Sequence, residues 1–272
     1  MRIALVYKAC IVLLCGLVSQ AVNADPADNN IKGKIATVSP ISFSLTQAMV
    51  KDTELHVSYL PPKRLPVNRV ASWIRKNASN KFEHFDAFVS ISAVKPGLDL
   101  FPSLRQRNIR IVDIDIAQAI VPNGEKVALA ADAEFFWLNS NNLLVMAGIL
   151  KRDLIALWPT QKALINQNYQ DVAAAIRQIN LQLDEQLMDN DIAFIIPSSS
   201  KLTPFVASLS SDTSTKEEAI ELGLPYLVID SSKKTPSEAW KIDDFSRFAK
   251  TDLIERLKGQ VSSLNAIVKK QQ

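Results

Sequence analysis

The chain of 272 residues holds only two cysteines, two histidines and seven glycines. Both cysteines, Cys10 and Cys15, fall inside a segment that reads as a leader, so the remainder has neither disulfides nor thiol chemistry. Six glycines follow position 24, with no Gly-x-Gly-x-x-Gly or Walker pattern among them. Nucleotide binding therefore has no support. There is no basic stripe with interleaved aromatics, which excludes nucleic acid as an expected partner. Nor is there an apolar run of roughly 20 residues, the length a helix needs to span a bilayer.

What is present begins with a leader pattern. Arg2 and Lys8 form a basic start, Ala9 to Val18 a short apolar run, and Val22-Asn23-Ala24 a small-residue cleavage point. Leu14 precedes Cys15 where a lipoprotein would need a small residue. A cleaved secretory signal over 1–24 and a periplasmic location are expected. Taking Arg2 and Lys8 from the 31 basic residues leaves 29 against 28 acidic ones, a formal +1. About 248 residues remain, enough for two modest lobes with real cores.

The next stretch alternates strand with helix. Ile35 to Val38, Glu54 to Leu60, Phe85 to Ile91 and Ile109 to Ile114 read as strands. Between them, Ser39-Pro40 opens a helix reaching about Val50, Val67 to Lys76 forms another, and a short one lies around Asp99 to Arg107. This order predicts a parallel sheet built from right-handed crossovers. From Asn141 to Leu187 turn chemistry is confined to Trp158-Pro159-Thr160. Beyond that break Ile165, Tyr169, Val172, Ile176, Ile179, Leu183 and Leu187 recur at helical steps and predict one helix of about 40 Å.

The last third has fewer units. Ile192 to Ile196 and Tyr226 to Ile229 read as strands, and Lys216 to Leu222 as a helix stopped by Gly223. Helices over Ser237 to Ala249 and Asp252 to Lys269 close the chain. The expected fold is α/β: two lobes with parallel sheets joined by a long rigid backbone helix, the C-terminal lobe reduced to two or three strands. The domain boundaries are 1–24 for the signal, 25–140 for the N-terminal lobe, 141–189 for the helical linker and 190–272 for the C-terminal lobe.

Two segments, Lys34 to Pro62 and Ala133 to Pro159, resemble the substrate-binding proteins of zinc and manganese ABC importers. The resemblance covers most of the chain beyond the leader. It implies two α/β lobes, a ligand between them, and docking on an inner-membrane permease. It also exposes what has been lost. Where the family pattern places its first histidine, this chain has Lys63 and Arg64. Aligned on Trp137-Leu138, Phe135 stands at the second histidine position. Pro197-Ser198 replaces the third ligand, and only Asp230 keeps a donor of the family's kind. One carboxylate does not make a zinc or manganese site, which needs three or four converging donors. His56 and His84 match none of these positions, so no metal and no cofactor are expected.

The cleft candidates are Lys63, Arg64, Glu134, Phe135, Ser198 and Asp230. Lys63, Arg64 and Arg69 would favour an anion if they faced the cleft, although solvated loop residues are the plainer reading. Glu134 and Arg64 are a candidate ion pair closing the vacated site, and Asp230 is expected to be ion-paired with the nearby cations. Phe135 either packs structurally with Phe136 and Trp137 or lines a small apolar pocket. Ser198 to Ser200 have no His–Asp partnership, and no catalytic constellation is visible, so the protein is not expected to be an enzyme. Two functions fit. One is a monomeric periplasmic binding-protein-like component of an ABC import system of the metal-receptor type, holding an unidentified small solute but not zinc or manganese in the family manner. The other is a non-transporting periplasmic accessory protein on the same scaffold. An open cleft at Phe135 favours the first and a filled one the second.

Overall fold

The computed structural model describes residues 33–121, 123–129 and 134–271. The leader pattern lies outside them. The N-terminal lobe runs β1 (Gly33–Thr37), α1 (Pro40–Met49), β2 (Leu55–Tyr59), α2 (Val67–Asn77), β3 (Ala87–Ser90), α3 (Phe101–Arg105) and β4 (Val112–Asp115). Its sheet is parallel throughout, in the order β2-β1-β3-β4. Then come α4 (Ser140–Leu157) and α5 (Lys162–Asp189). The C-terminal lobe follows as β5 (Phe194–Pro197), α6 (Thr203–Val206), β6 (Asp212–Thr213), α7 (Lys216–Leu222), β7 (Tyr226–Asp230), β8 (Trp240–Lys241) and α8 (Leu253–Gln271).

Local chemistry explains the ends of these elements. Ser39 caps α1 by accepting a 3.1 Å hydrogen bond from the Ser42 amide, and Pro40 occupies a position whose N–H would have no helical partner. Gly223 stops α7 in the left-handed region at φ 63°, where a side chain would be strained. The long helix is continuous, 28 residues in α5 behind a 3₁₀ turn over Pro159–Gln161. Six of its seven predicted face residues are buried, and Tyr169 packs at the margin with the Lys151 ammonium 4.1 Å above its ring. Two parallel-sheet lobes thus join through one long helix, whose apolar face belongs to a hydrophobic core shared with both sheets.

Three expectations need correction. The C-terminal sheet has four parallel strands, not two or three, in the order β6-β5-β7-β8. Its two edge strands are only two residues each, too short to leave a periodic signal. Each sheet has the second strand of its lobe outermost, the first beside it, then the third and fourth.

The second correction is at Ser237 to Ala249, which is not a helix. Trp240 is drawn into the sheet opposite Ile229. Asp243 and Asp244 then accept hydrogen bonds from the amides of Phe245 and Ser246, and Phe245 takes φ 53°. Such side-chain bonds offer the backbone an alternative to helix, and a left-handed residue ends one. Finally, β4 starts at Val112 rather than Ile109, whose side chain is 78% exposed because the Asn108 carbonyl oxygen of the side chain holds the Arg110 amide in a turn.

Candidate functional site

The lobes meet at the carboxyl ends of their strands, and their own side chains fill much of that junction. The chief agent is Arg256 on α8, whose side chain is 5% exposed. It donates two hydrogen bonds to the Asp243 carboxylate, at 2.7 and 2.8 Å, and a third of 3.1 Å to Ser44 Oγ on α1. Its guanidinium lies 4.0 Å from the centre of the Phe245 ring. This fork geometry suits arginine alone, and it ties the C-terminal lobe to the first helix of the N-terminal one.

Three aromatic rings form a second closure. Phe248, from the loop after β8, stacks on Tyr59 at 4.9 Å and lies tilted 4.9 Å from Phe43, and Tyr59 and Phe43 are themselves 5.9 Å apart, edge to face. Lys63, expected near a vacated cation position, holds its ammonium 5.4 Å over Phe248. Arg64 is exposed in the same loop. Burial pushes the Tyr59 phenol up, and its hydroxyl has no hydrogen-bond partner among the described residues. Two further bonds cross the junction: Trp137 Nε1 to the Asp244 carbonyl at 2.9 Å, and the Val67 amide to the Ser246 carbonyl at 2.8 Å.

Glu134 does form an ion pair, but with Lys201 of the C-terminal lobe at 3.0 Å rather than with Arg64. A turn past β5 brings Lys201 to it, and the same ammonium lies 5.7 Å from the Phe135 ring. Phe135 is buried, tilted against Trp137 at 5.3 Å, and forms one wall of a cavity of about 240 Å³. Val67 and Ala71 of α2 and the turn Pro96–Leu98 form the other walls. Both readings of Phe135 therefore have substance: it packs against Trp137 and it lines a small, largely apolar space.

Among the described residues Asp230 makes no ion pair, contrary to expectation. Its carboxylate accepts hydrogen bonds from Ser198 Oγ at 2.8 Å and from Ser232 Oγ. Burial alone would push the carboxyl up; the hydroxyl and amide bonds outweigh it and hold it below the ordinary carboxylate range. That carboxylate is thus already occupied by this chain's own hydroxyls. Ser198 supports it and has no histidine partner. His84 lies beside Asn108 and Asp86, and His56 is exposed on β2. Among the described residues no three His, Cys, Asp or Glu side chains converge closely enough to hold a metal ion. The described residues do not fit zinc or manganese.

No family model and no curated protein matches the sequence. Solved structures do match. The periplasmic zinc-binding protein TroA from Treponema pallidum superposes with a TM-score of 0.58 at 10% identity, over 87% of this chain and 99% of its own. The metal-dependent lipoprotein YcdH from Bacillus subtilis gives 0.59 at 12%, covering 86% and 97%. The binding protein FpvC from Pseudomonas aeruginosa, solved with Mn2+, gives 0.56 at 12%, covering 87% and 97%. This chain has the fold of the metal-receptor binding proteins. Among the described residues it carries that scaffold without an intact cluster of metal donors.

The residues that sequence reasoning missed, Asp243, Phe248 and Arg256, sit in or against the loop mistaken for a helix. The signal available was Asp243-Asp244-Phe245-Ser246, in which two adjacent Asp residues each precede an acceptor turn. A separate titrating group lies in the N-terminal lobe. Burial pushes the Asp113 carboxyl on β4 up from 3.8 to about 6 against a hydrogen bond from Ser90, with Asp115 and Asp99 adding like charge. The folded chain therefore holds this proton more tightly than the unfolded one, and stability is lost as pH rises from about 4 through 6. Asp113→Asn is expected to raise stability by about 1–2 kcal/mol at pH 7.5 and hardly at all at pH 4. Urea midpoints at the two pH values test this, and an equal gain at both would refute it.

Proposed function

We propose that this protein is a periplasmic, non-catalytic component of an ABC import system, built on the metal-receptor scaffold and acting without zinc or manganese held in the family manner. Removal of residues 1–24 would release it as a monomer, and the inner-membrane permease, or another periplasmic protein of the same machinery, is its partner. One observation carries the reading most directly: Arg256, Asp243 and Ser44 form a hydrogen-bonded lock where lobes of this fold enclose a ligand. With Phe43, Tyr59 and Phe248 packed together in the same junction, the accessory, non-transporting form of the reading is favoured. The second reading, delivery of a small solute, is supported by the cavity of about 240 Å³ against Phe135.

Zinc and manganese are the direct test. Ligand at about 100 times its dissociation constant stabilises a folded protein by roughly 2.7 kcal/mol. For a chain of this size that is a rise in Tm of roughly 5–10 °C. Stoichiometric zinc or manganese is expected to give no such rise. A shift of several degrees, abolished by Asp230→Ala, would restore the metal receptor. The two forms of the reading separate in a pull-down and native mass spectrum from the periplasm: a co-purifying permease without a bound solute supports the accessory form, a bound solute the delivery form.

A further inference from the structure

Open α/β sheets bind solutes in the crevice beyond the carboxyl ends of their strands. In the C-terminal lobe β7 ends at Asp230 and β8 at Lys241. The segments leaving those ends, together with the second turn of α8, enclose an open pocket of about 460 Å³. Its charge is lopsided. Four cations, Lys233, Lys241, Arg247 and Arg256, line it against two carboxylates, Asp243 and Asp244. Arg256 and Asp243 neutralise one another through their paired hydrogen bonds. What remains is Lys233, Lys241 and Arg247 facing Asp244, a local excess of two positive charges. No ion pair involves these three among the described residues, and Ser231 and Ser246 also line the pocket.

Exposed lysines by themselves mean little. A second feature distinguishes this wall. Gly259 lies inside α8, where glycine costs about 1 kcal/mol relative to alanine. A Cβ there would meet no atom within 4 Å, so no neighbour requires the glycine. It is, however, part of the pocket wall, beside Gln260 and Ser263.

We propose that this pocket binds a small, multiply charged oxyanion, either phosphate or a di- or tricarboxylate. Lys233, Lys241 and Arg247 supply the countercharge and the serines supply hydrogen-bond donors. Arg256 stays committed to Asp243 and fixes the floor. The inference goes beyond the docking reading above and does not depend on it, because it requires neither a permease nor an open cleft.

Isothermal titration calorimetry on the intact protein, at constant ionic strength, tests it with inorganic phosphate and with citrate in separate arms. Saturable one-to-one binding of at least one anion is expected. Phosphate alone would mark a phosphate site, citrate alone a polycarboxylate site. The exposed double variant Lys233→Gln/Lys241→Gln should weaken that binding at least roughly tenfold, two charges being lost from a partly screened site. Gly259→Leu should weaken it similarly by filling the wall, while Lys76→Gln on α2 should leave it unchanged. Absence of saturable binding in both arms would overturn the proposal, as would equal affinity in the double-lysine variant and the Lys76→Gln control. Failure here would leave the metal and permease tests untouched.

Discussion

Arg256→Ala is expected to lower the unfolding free energy by about 3 kcal/mol, because removing one partner of a buried ion pair strands the other. The lower end of the usual range applies, since the Asp243 side chain is 37% exposed and regains some water. Three interactions vanish together: the fork on Asp243, the 3.1 Å bond to Ser44 and the contact with the Phe245 ring. Arg256→Lys should recover only part of the loss, as an ammonium reproduces neither the fork nor the stacking. Urea unfolding measures both. The same variant has a second readout that a merely local defect would not move. If Arg256 holds the lobes together, amide exchange should accelerate in α1 around Ser44, which is 212 positions away in sequence. Destabilisation confined to α8 and the loop before it would mean that the bond to Ser44 carries no interlobe coupling.

Trp137→Ala should cost about 3–5 kcal/mol, the usual range for deleting a large aromatic from a core. The indole is 2% exposed, packs against Phe135 and Phe136 at 5.3 Å each, and spends its N–H on the Asp244 carbonyl of the other lobe. Trp137→Phe separates the two contributions. It keeps most of the ring contact and loses the hydrogen bond, for an expected cost of about 1–2 kcal/mol including the smaller ring. A phenylalanine variant as unstable as the alanine one would show that the interlobe bond, rather than packing, dominates at this position. Guanidinium midpoints for the three proteins decide between them. Because Trp137 also borders the cavity beside Phe135, the alanine variant enlarges that space and would admit a larger apolar probe.

What was legible in the sequence follows from the range over which each signal acts. Ser39-Pro40 and Gly223 mark helix ends because caps depend on one or two neighbouring residues. The seven residues from Ile165 to Leu187 mark α5 because a helical face repeats every three or four positions. The alternation of strand and helix over residues 33–115 suffices for a parallel sheet. These properties the sequence determined by itself.

The junction between the lobes was decided by tertiary structure. Glu134 meets Lys201 across 67 positions, Trp137 meets Asp244 across 107, and no periodicity links such pairs. Among the described residues Asp230 is held by serine hydroxyls rather than by an ion pair because the loops leaving β5 and β7 converge, a consequence of strand order. The segment after β7 had the composition of a helix, yet Trp240 pairs with Ile229 in the sheet, and the amides of Phe245 and Ser246 donate to Asp243 and Asp244. Local propensity is worth a few tenths of a kcal/mol per residue, whereas burying a tryptophan is worth several, so the sheet prevailed and placed Phe248 and Asp243 in the cleft.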